Sequence, residues 1–151
     1  MNITICGGTG FLGIELANYF LANEHHILIL SRSIPKIEGV KHVYWRDKND
    51  VYKAIELADV VINLAGRSVD CRYSEANKAE IYQSRIDTTH QIKEVIKALE
   101  HKPKLWINAS TATIYRHAID RPMTEHEGEI GSVFSMNVAK ALENEFFDAH
   151  L

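Results

Sequence analysis

Apolar and polar positions along this chain follow two rhythms that take turns from the first residue. Residues 2–6 form a short apolar run that reads as a buried strand, and 7–10 form a glycine turn. In 11–22, Leu12, Leu16, Ala17, Phe20 and Leu21 recur at helical spacing. The run Ile27-Leu28-Ile29-Leu30 is apolar without alternation, as in a parallel strand covered on both faces. A loop with Pro35 follows over 31–39, then a weaker third strand at 40–45 and a short helix at 51–57. A fourth strand at 60–64 ends at Ala65-Gly66. After a polar loop, a long helix over about 74–100 carries an apolar stripe of Ile81, Ile86, Ile92, Val95, Ile96 and Leu99. Pro103 stops it, a fifth strand starts at Leu105 and ends near Ser110, 112–131 is a loop, and a last helix begins near Ser132.

Strand–helix alternation with short connections implies right-handed βαβ crossovers, hence an α/β fold with a parallel, doubly wound sheet in the order 3-2-1-4-5. Residues 1–151 read as one domain, without repeats or a linker. The helical pattern at the end meets no cap or breaker, which suggests a truncated chain.

Composition narrows the partners. A net charge of −3, with both signs interspersed, argues against a nucleic-acid surface. No apolar run approaches the ~18 residues of a membrane span, and no basic leader precedes the first strand. Cys6 and Cys71 lack C-x-x-C spacing, so two free thiols in a reducing cytoplasm are expected. The eight histidines are scattered, and no metal site is expected.

Chemistry concentrates at the first turn. Gly7-Gly8-Thr9-Gly10-Phe11-Leu12-Gly13 lies between the first strand and the first helix of a βαβ unit. A diphosphate there needs a tight turn, a bare backbone and free helix N–H groups. Gly7 is read as the turn, Gly10 as the opening for the phosphates and Gly13 as the point where helix packs on strand; Thr9, Phe11 and Leu12 complete the loop. The alternative is a purely structural glycine turn. The second strand ends without the Asp or Glu that would hold an NAD ribose, and Arg32 stands there instead, flanked by Ser31 and Ser33. Its planar cation suits a 2′-phosphate, so NADP(H) is expected in preference to NAD(H), unless Arg32 is a solvated loop residue. Asn63, Leu64, Ala65 and Gly66 close the fourth strand beside the first and are expected under the cofactor.

These pieces resemble the extended short-chain dehydrogenase/reductase family, which includes the NAD-dependent epimerases and dehydratases and has a Rossmann-type domain. The resemblance rests on residues 6–13, on Asp59-Val-Val-Ile-Asn-Leu-Ala-Gly66, on Asn108-Ala-Ser-Thr-Ala-Thr-Ile-Tyr115 and on Pro122-Met-Thr-Glu125. Asn63–Gly66 followed by Ser84-Arg-Ile-Asp-Thr-Thr89 resembles an atypical branch of proteins called simply epimerase family proteins. The resemblance implies a C-terminal substrate domain beyond this chain. It also implies pairing of the helices at 74–100 and 132–151 in a homodimer.

For the site it implies a catalytic Ser/Thr at Thr111, after Ser110, and an active-site Tyr-x-x-x-Lys whose lysine matches Lys140. Where the tyrosine should stand, the chain has Met136, whose thioether has no transferable proton. Lys140 then either holds the nicotinamide ribose or lies at the surface. Tyr115 is another candidate for the acid, with Glu125 and His126 on the loop as default exposed residues. Arg85 stands where many relatives place an Asn, or makes an ion pair with Asp87 or Glu80. The expected function is an NADP(H)-binding oxidoreductase or epimerase acting on a small sugar-like or carbonyl substrate. The rival is a non-catalytic dinucleotide-binding sensor.

Overall fold

Runs of Ile, Val and Leu without a polar face can be satisfied only by cover above and below, and the chain supplies it. The computed structural model describes residues 1–149. In chain order these are β1 (Asn2–Cys6), α1 (Phe11–Ala22), β2 (His26–Ser31), β3 (Lys41–Tyr44), α2 (Lys48–Ile55), β4 (Val60–Asn63), α3 (Glu75–Ala98), β5 (Leu105–Asn108) and α4 (Phe134–Phe147). A 3₁₀ turn, Ala112–Ile114, sits between β5 and α4. All strand pairs are parallel and the order is β3-β2-β1-β4-β5, as the alternation predicts.

The two faces of the sheet carry separate cores. Cys6, Leu30 and Val61 pack with Val51 and Ile55 of α2 and with Ile92, Val95 and Ile96 of α3. Ile3, Ile5, Ile27, Ile29 and Ile62 pack on the other face with Ala17 of α1. That second layer is narrow: Leu105 and Ile107 of β5, in register with Val60 and Ile62, stay half exposed. Both cysteines are free, and burial pushes the Cys6 thiol far above its ordinary range. No helix among the described residues is long and apolar enough to cross a membrane.

Helix starts follow polar caps more than apolar stripes. α2 begins at Lys48, three residues before the first apolar position of the 51–57 pattern. The Asp47 carboxylate there accepts the N–H groups of Asn49 (2.8 Å) and Asp50 (3.1 Å). Ser74 caps α3 by accepting from Asn77 N–H. The 112–131 segment is more ordered than a plain loop: besides the 3₁₀ turn, Tyr115 bridges antiparallel to Ile130. Arg116 donates to Glu129 (2.7 Å) and Asp120 (2.9 Å), and these bonds hold both carboxyls at about 2. α4 is tied to α3 by buried Lys93, which reaches Glu145 (2.6 Å) and Asp148 (3.1 Å).

Ile29 is fully buried in β2, within the core of the α1 face. Ile29→Ala is expected to cost about 2–5 kcal/mol, read as a lower urea midpoint at unchanged m-value.

Candidate functional site

The C-terminal ends of β1, β2, β4 and β5 open on one edge of the sheet, and the chain reverses direction of travel between β1 and β4. Ligands in open α/β sheets bind at such a switch point. Gly7 turns the backbone out of β1 with φ +74°, donates its N–H to Leu30 O (2.8 Å), and passes so close to the exit of β4 that a Cβ would lie 2.7 Å from Ala65 Cα. Gly13 seats α1: its Cβ would fall 2.5 Å from Gly8 Cα. The surface that Gly13 meets is therefore the glycine turn itself rather than the strand expected from sequence. Gly8, which the sequence reading left without a role, lies over the Ile5 and Ile29 methyls, 3.0 and 3.2 Å from where a Cβ would be. Gly10 is different in kind, since a Cβ there would meet nothing within 4 Å.

No side chain caps α1, and the amides of Phe11, Leu12 and Gly13 have no hydrogen-bond partner among the described residues. Next to them in the chain, at Gly10, a groove of about 410 Å³ opens. Gly7, Thr9, Gly10, Ser31, Arg32, Leu64, Ala65 and Gly66 line it, joined by Ser33, Trp45, Ser84 and Thr88. Phe11, Leu12 and Gly13, expected in the cofactor loop, are not among the groove's lining residues, and the side chains of Phe11 and Leu12 are exposed. Ser31 is buried and engaged, donating to Ser33 O (2.6 Å) and bonded to His42 Nε2 (3.0 Å). Arg32 stands exposed at the mouth, where a second, open hollow holds Arg67, Glu80, Gln83 and Ser84. Asn63 points inward. Its Nδ2 donates to Asn108 Oδ1 (2.6 Å) and Thr89 Oγ1 (3.2 Å), and its Oδ1 accepts from Ala65 N–H (3.0 Å), which braces the ends of β4 and β5. Trp45 carries no sequence signal of its own, and Ser84 and Thr88 are legible only as members of the 84–89 motif, with no role attached. Trp45 arrives through β3 and is held by Gln91 (2.7 Å), while the other two belong to the wall that α3 presents.

Leu64, Ala65 and Gly66 also border a second cavity of about 440 Å³. Its walls are Val69, Tyr73, Ile81, Phe134, Val138 and Leu142, and its polar groups are Asn108, Ser110, Thr111, Thr113, Ser135 and Arg85. Ser110 donates to Glu143 Oε1 on α4 at 2.5 Å, a short charge-assisted bond. Glu143 has no sequence signal, because its carboxylate reaches the site only through the packing of α4 on the end of β5. Thr111 caps the 3₁₀ turn, accepting from Thr113 N–H (3.1 Å). Arg85 is half buried, and burial lowers its pKa. Its Nη1 donates to Arg67 O and Ile81 O, both at 3.0 Å; of the two carboxylates expected for it, Glu80 pairs with Arg67 instead, and Asp87 forms no ion pair with it among the described residues.

α4 turns Ser135, Val138, Ala139 and Leu142 to the cavity. Met136 and Lys140 lie on a stripe rotated from the centre of that face by roughly 130°, and neither lines the cavity; the Met136 thioether packs on Gly131. The Tyr115 ring packs on Gly128 and is likewise outside the cavity lining. Glu125 and His126 are exposed on the loop and do not approach it.

A family model described as the NAD dependent epimerase/dehydratase family matches residues 3–142. Epimerase family protein YfhF of Bacillus subtilis (strain 168) is 34% identical over 148 residues, covering 96% of this chain and 49% of the relative. Epimerase family protein SSP1921 of Staphylococcus saprophyticus is 36% identical over 126 residues, 80% of this chain and 41% of the relative. The chain thus spans about half the length of the curated relatives it matches. The crystal structure of human epimerase family protein SDR39U1 (isoform 2) with NADPH superposes with a TM-score of 0.81 at 22% identity, over 97% of this chain and 48% of that one. UDP-glucuronic acid 4-epimerase from Bacillus cereus, in complex with NAD, gives 0.77 at 20% identity, over 99% and 52%. At such identities the likeness is one of fold.

The two glycines flanking the helix start separate in a stability measurement. Gly13→Ala drives a methyl into the main chain of Gly8 and is expected to cost ~2 kcal/mol or more. Gly10→Ala, at an ordinary extended φ with open space beyond, should change stability by less than about 1 kcal/mol in the same urea titration.

Proposed function

Since the chain belongs to the NAD dependent epimerase/dehydratase family, we propose that it binds a nicotinamide dinucleotide, NADP(H) in preference to NAD(H), as part of an oxidoreductase or epimerase acting on a small sugar-like or carbonyl substrate. The observation that carries this reading is the open space at Gly10 in front of three unpartnered amides, with the backbone of Ala65 drawn up against Gly7. That cradle fits a pyrophosphate: the amides of Phe11, Leu12 and Gly13 would bond its oxygens, and the positive end of α1 favours the charge. Arg32, at the groove mouth with no acidic residue beside it at the end of β2, would pair with a 2′-phosphate. The human relative crystallised with NADPH supports that choice. The shared border Leu64–Ala65–Gly66 leads from the groove into the second cavity, where the substrate would sit.

When bound, the dinucleotide supplies the hydride acceptor or donor. Proton handling falls to Ser110 and Glu143, because Met136 has no proton to give and Tyr115 and Lys140 lie outside the cavity lining. In the oxidising direction the proton of a substrate hydroxyl passes to Ser110 Oγ, and the proton of Ser110 passes to the Glu143 carboxylate. Thr111 and Thr113 orient the same oxygen. A second reading, a dinucleotide sensor without turnover, is favoured by Met136 alone. It is distinguished by incubating NADPH with a panel of carbonyl compounds and following the reduced-nicotinamide absorbance.

Calorimetric titration with NADPH and NADH side by side tests the dinucleotide. NADPH should bind the tighter, Gly10→Val should abolish binding of both with the circular dichroism spectrum retained, and Arg32→Asp should erase the preference for NADPH, a change of about tenfold or more in the Kd ratio. Heat from neither dinucleotide with folded protein would refute the assignment.

A further inference from the structure

The substrate cavity has one charged lining residue, Arg85, while the Glu143 carboxylate stands behind Ser110, hydrogen-bonded to it, and is not part of the lining. Of the side chains around its roughly 440 Å³, only that of Arg85 is ionised. The others are aliphatic or aromatic, hydroxyls, and the Asn108 amide. A guanidinium half withdrawn from water is costly unless its donors are met. Those of Nη1 are met by two main-chain carbonyls, Arg67 O and Ile81 O. These bonds also fix the plane of the group, with the α3 main chain on one side and Gly66 on the other, where even a Cβ would come within 3.0 Å of Cζ. The opposite edge is different. Nε and Nη2 have no partner among the described residues, and neither is sealed away from solvent. Two parallel N–H donors on a fixed plane are the complement of a carboxylate, which accepts both at once.

We propose that the substrate of this cavity carries a carboxylate group and that Arg85 binds it through its Nε–Nη2 edge. The inference rests on reading the cavity as the substrate pocket and adds a chemical class to it. The apolar walls Val69, Tyr73, Phe134 and Leu142 would enclose the carbon skeleton between that anchor and Ser110. Arg85 would be a binding and orienting residue, with no proton to transfer at any ordinary pH.

Benzoate, flat and small enough for the cavity, and its uncharged counterpart benzamide are the probes. The 151-residue chain is titrated with each while the arginine Nε–H resonances are followed by ¹⁵N NMR, and NADPH affinity is measured in parallel. Benzoate should bind about tenfold or more tighter than benzamide and shift the Arg85 Nε–H signal. Arg85→Gln should remove the difference and leave NADPH affinity unchanged. Should Arg85→Gln fail to fold, the wild-type affinity ratio and the Nε–H shift decide by themselves. Equal affinities, no benzoate binding, or an unmoved Arg85 signal would overturn the inference. So would loss of NADPH affinity in Arg85→Gln, which would give the anion to the phosphates of the dinucleotide. NADPH binding without discrimination between the probes removes this inference alone; discrimination without NADPH binding keeps the carboxylate site and removes the dinucleotide.

Discussion

Two places where main chain meets main chain with no room for a side chain set the rest of this structure. Gly7 lies against Ala65, and Gly13 lies against Gly8. The first contact brings the exit of β4 up to the exit of β1, so that the short segment Leu64–Ala65–Gly66 serves as the wall of two cavities at once. The second pulls the start of α1, whose first amides have no partner and no side-chain cap, down onto the turn beside the groove. Neither contact tolerates a methyl group, whereas Gly10, between them, is bounded by open space. The same short stretch thus contains glycines demanded by packing and one, Gly10, that packing does not demand.

Close approach of backbones alone would leave the strand ends free to splay, and a polar brace holds them. Asn63 and Asn108, paired in register on β4 and β5, share a hydrogen bond at 2.6 Å, and Thr89 of α3 accepts from the same Asn63 amide. An unsatisfied amide at this depth would cost about 1–3 kcal/mol, so each partner enforces the others. The brace fixes where β5 stops, and with it the position of Ser110 relative to Glu143 on α4. The Arg116 bonds to Glu129 and Asp120 do the same for the segment that leads from β5 into α4.

The sequence makes the layer order and the glycine turn legible because both rest on local patterns: unbroken apolar runs for covered strands, and small residues where a strand must turn into a helix. Less legible is anything decided by the direction of a side chain at a strand end. Ser31 and Asn63 sit at positions that suggest ligand contact, yet both spend their hydrogen bonds on the protein's own frame. Arg85 and Glu80 are five residues apart on one helix. That spacing points the two side chains to different faces, and Glu80 pairs with Arg67, arriving from the loop after β4. α2 begins earlier than its apolar stripe because Asp47 caps it, and a cap is one residue among many polar ones. Glu143 is invisible until α4 is placed against β5.

The same placement of α4 decides what chemistry the cavity can host. The Met136 side chain packs toward Gly131, while the cavity sees Ser135, Val138 and Leu142. Ser110 offers something different. Its hydroxyl proton is committed to Glu143, so the lone pairs of its oxygen are what remain for a ligand. Arg85, across the cavity, can only donate. A molecule that fits both ends must therefore donate at one and accept at the other. A substrate with a hydroxyl near Ser110 and an oxyanion near Arg85 meets both conditions, whereas a molecule with the two groups exchanged fails at Ser110, where an oxyanion has no proton to donate.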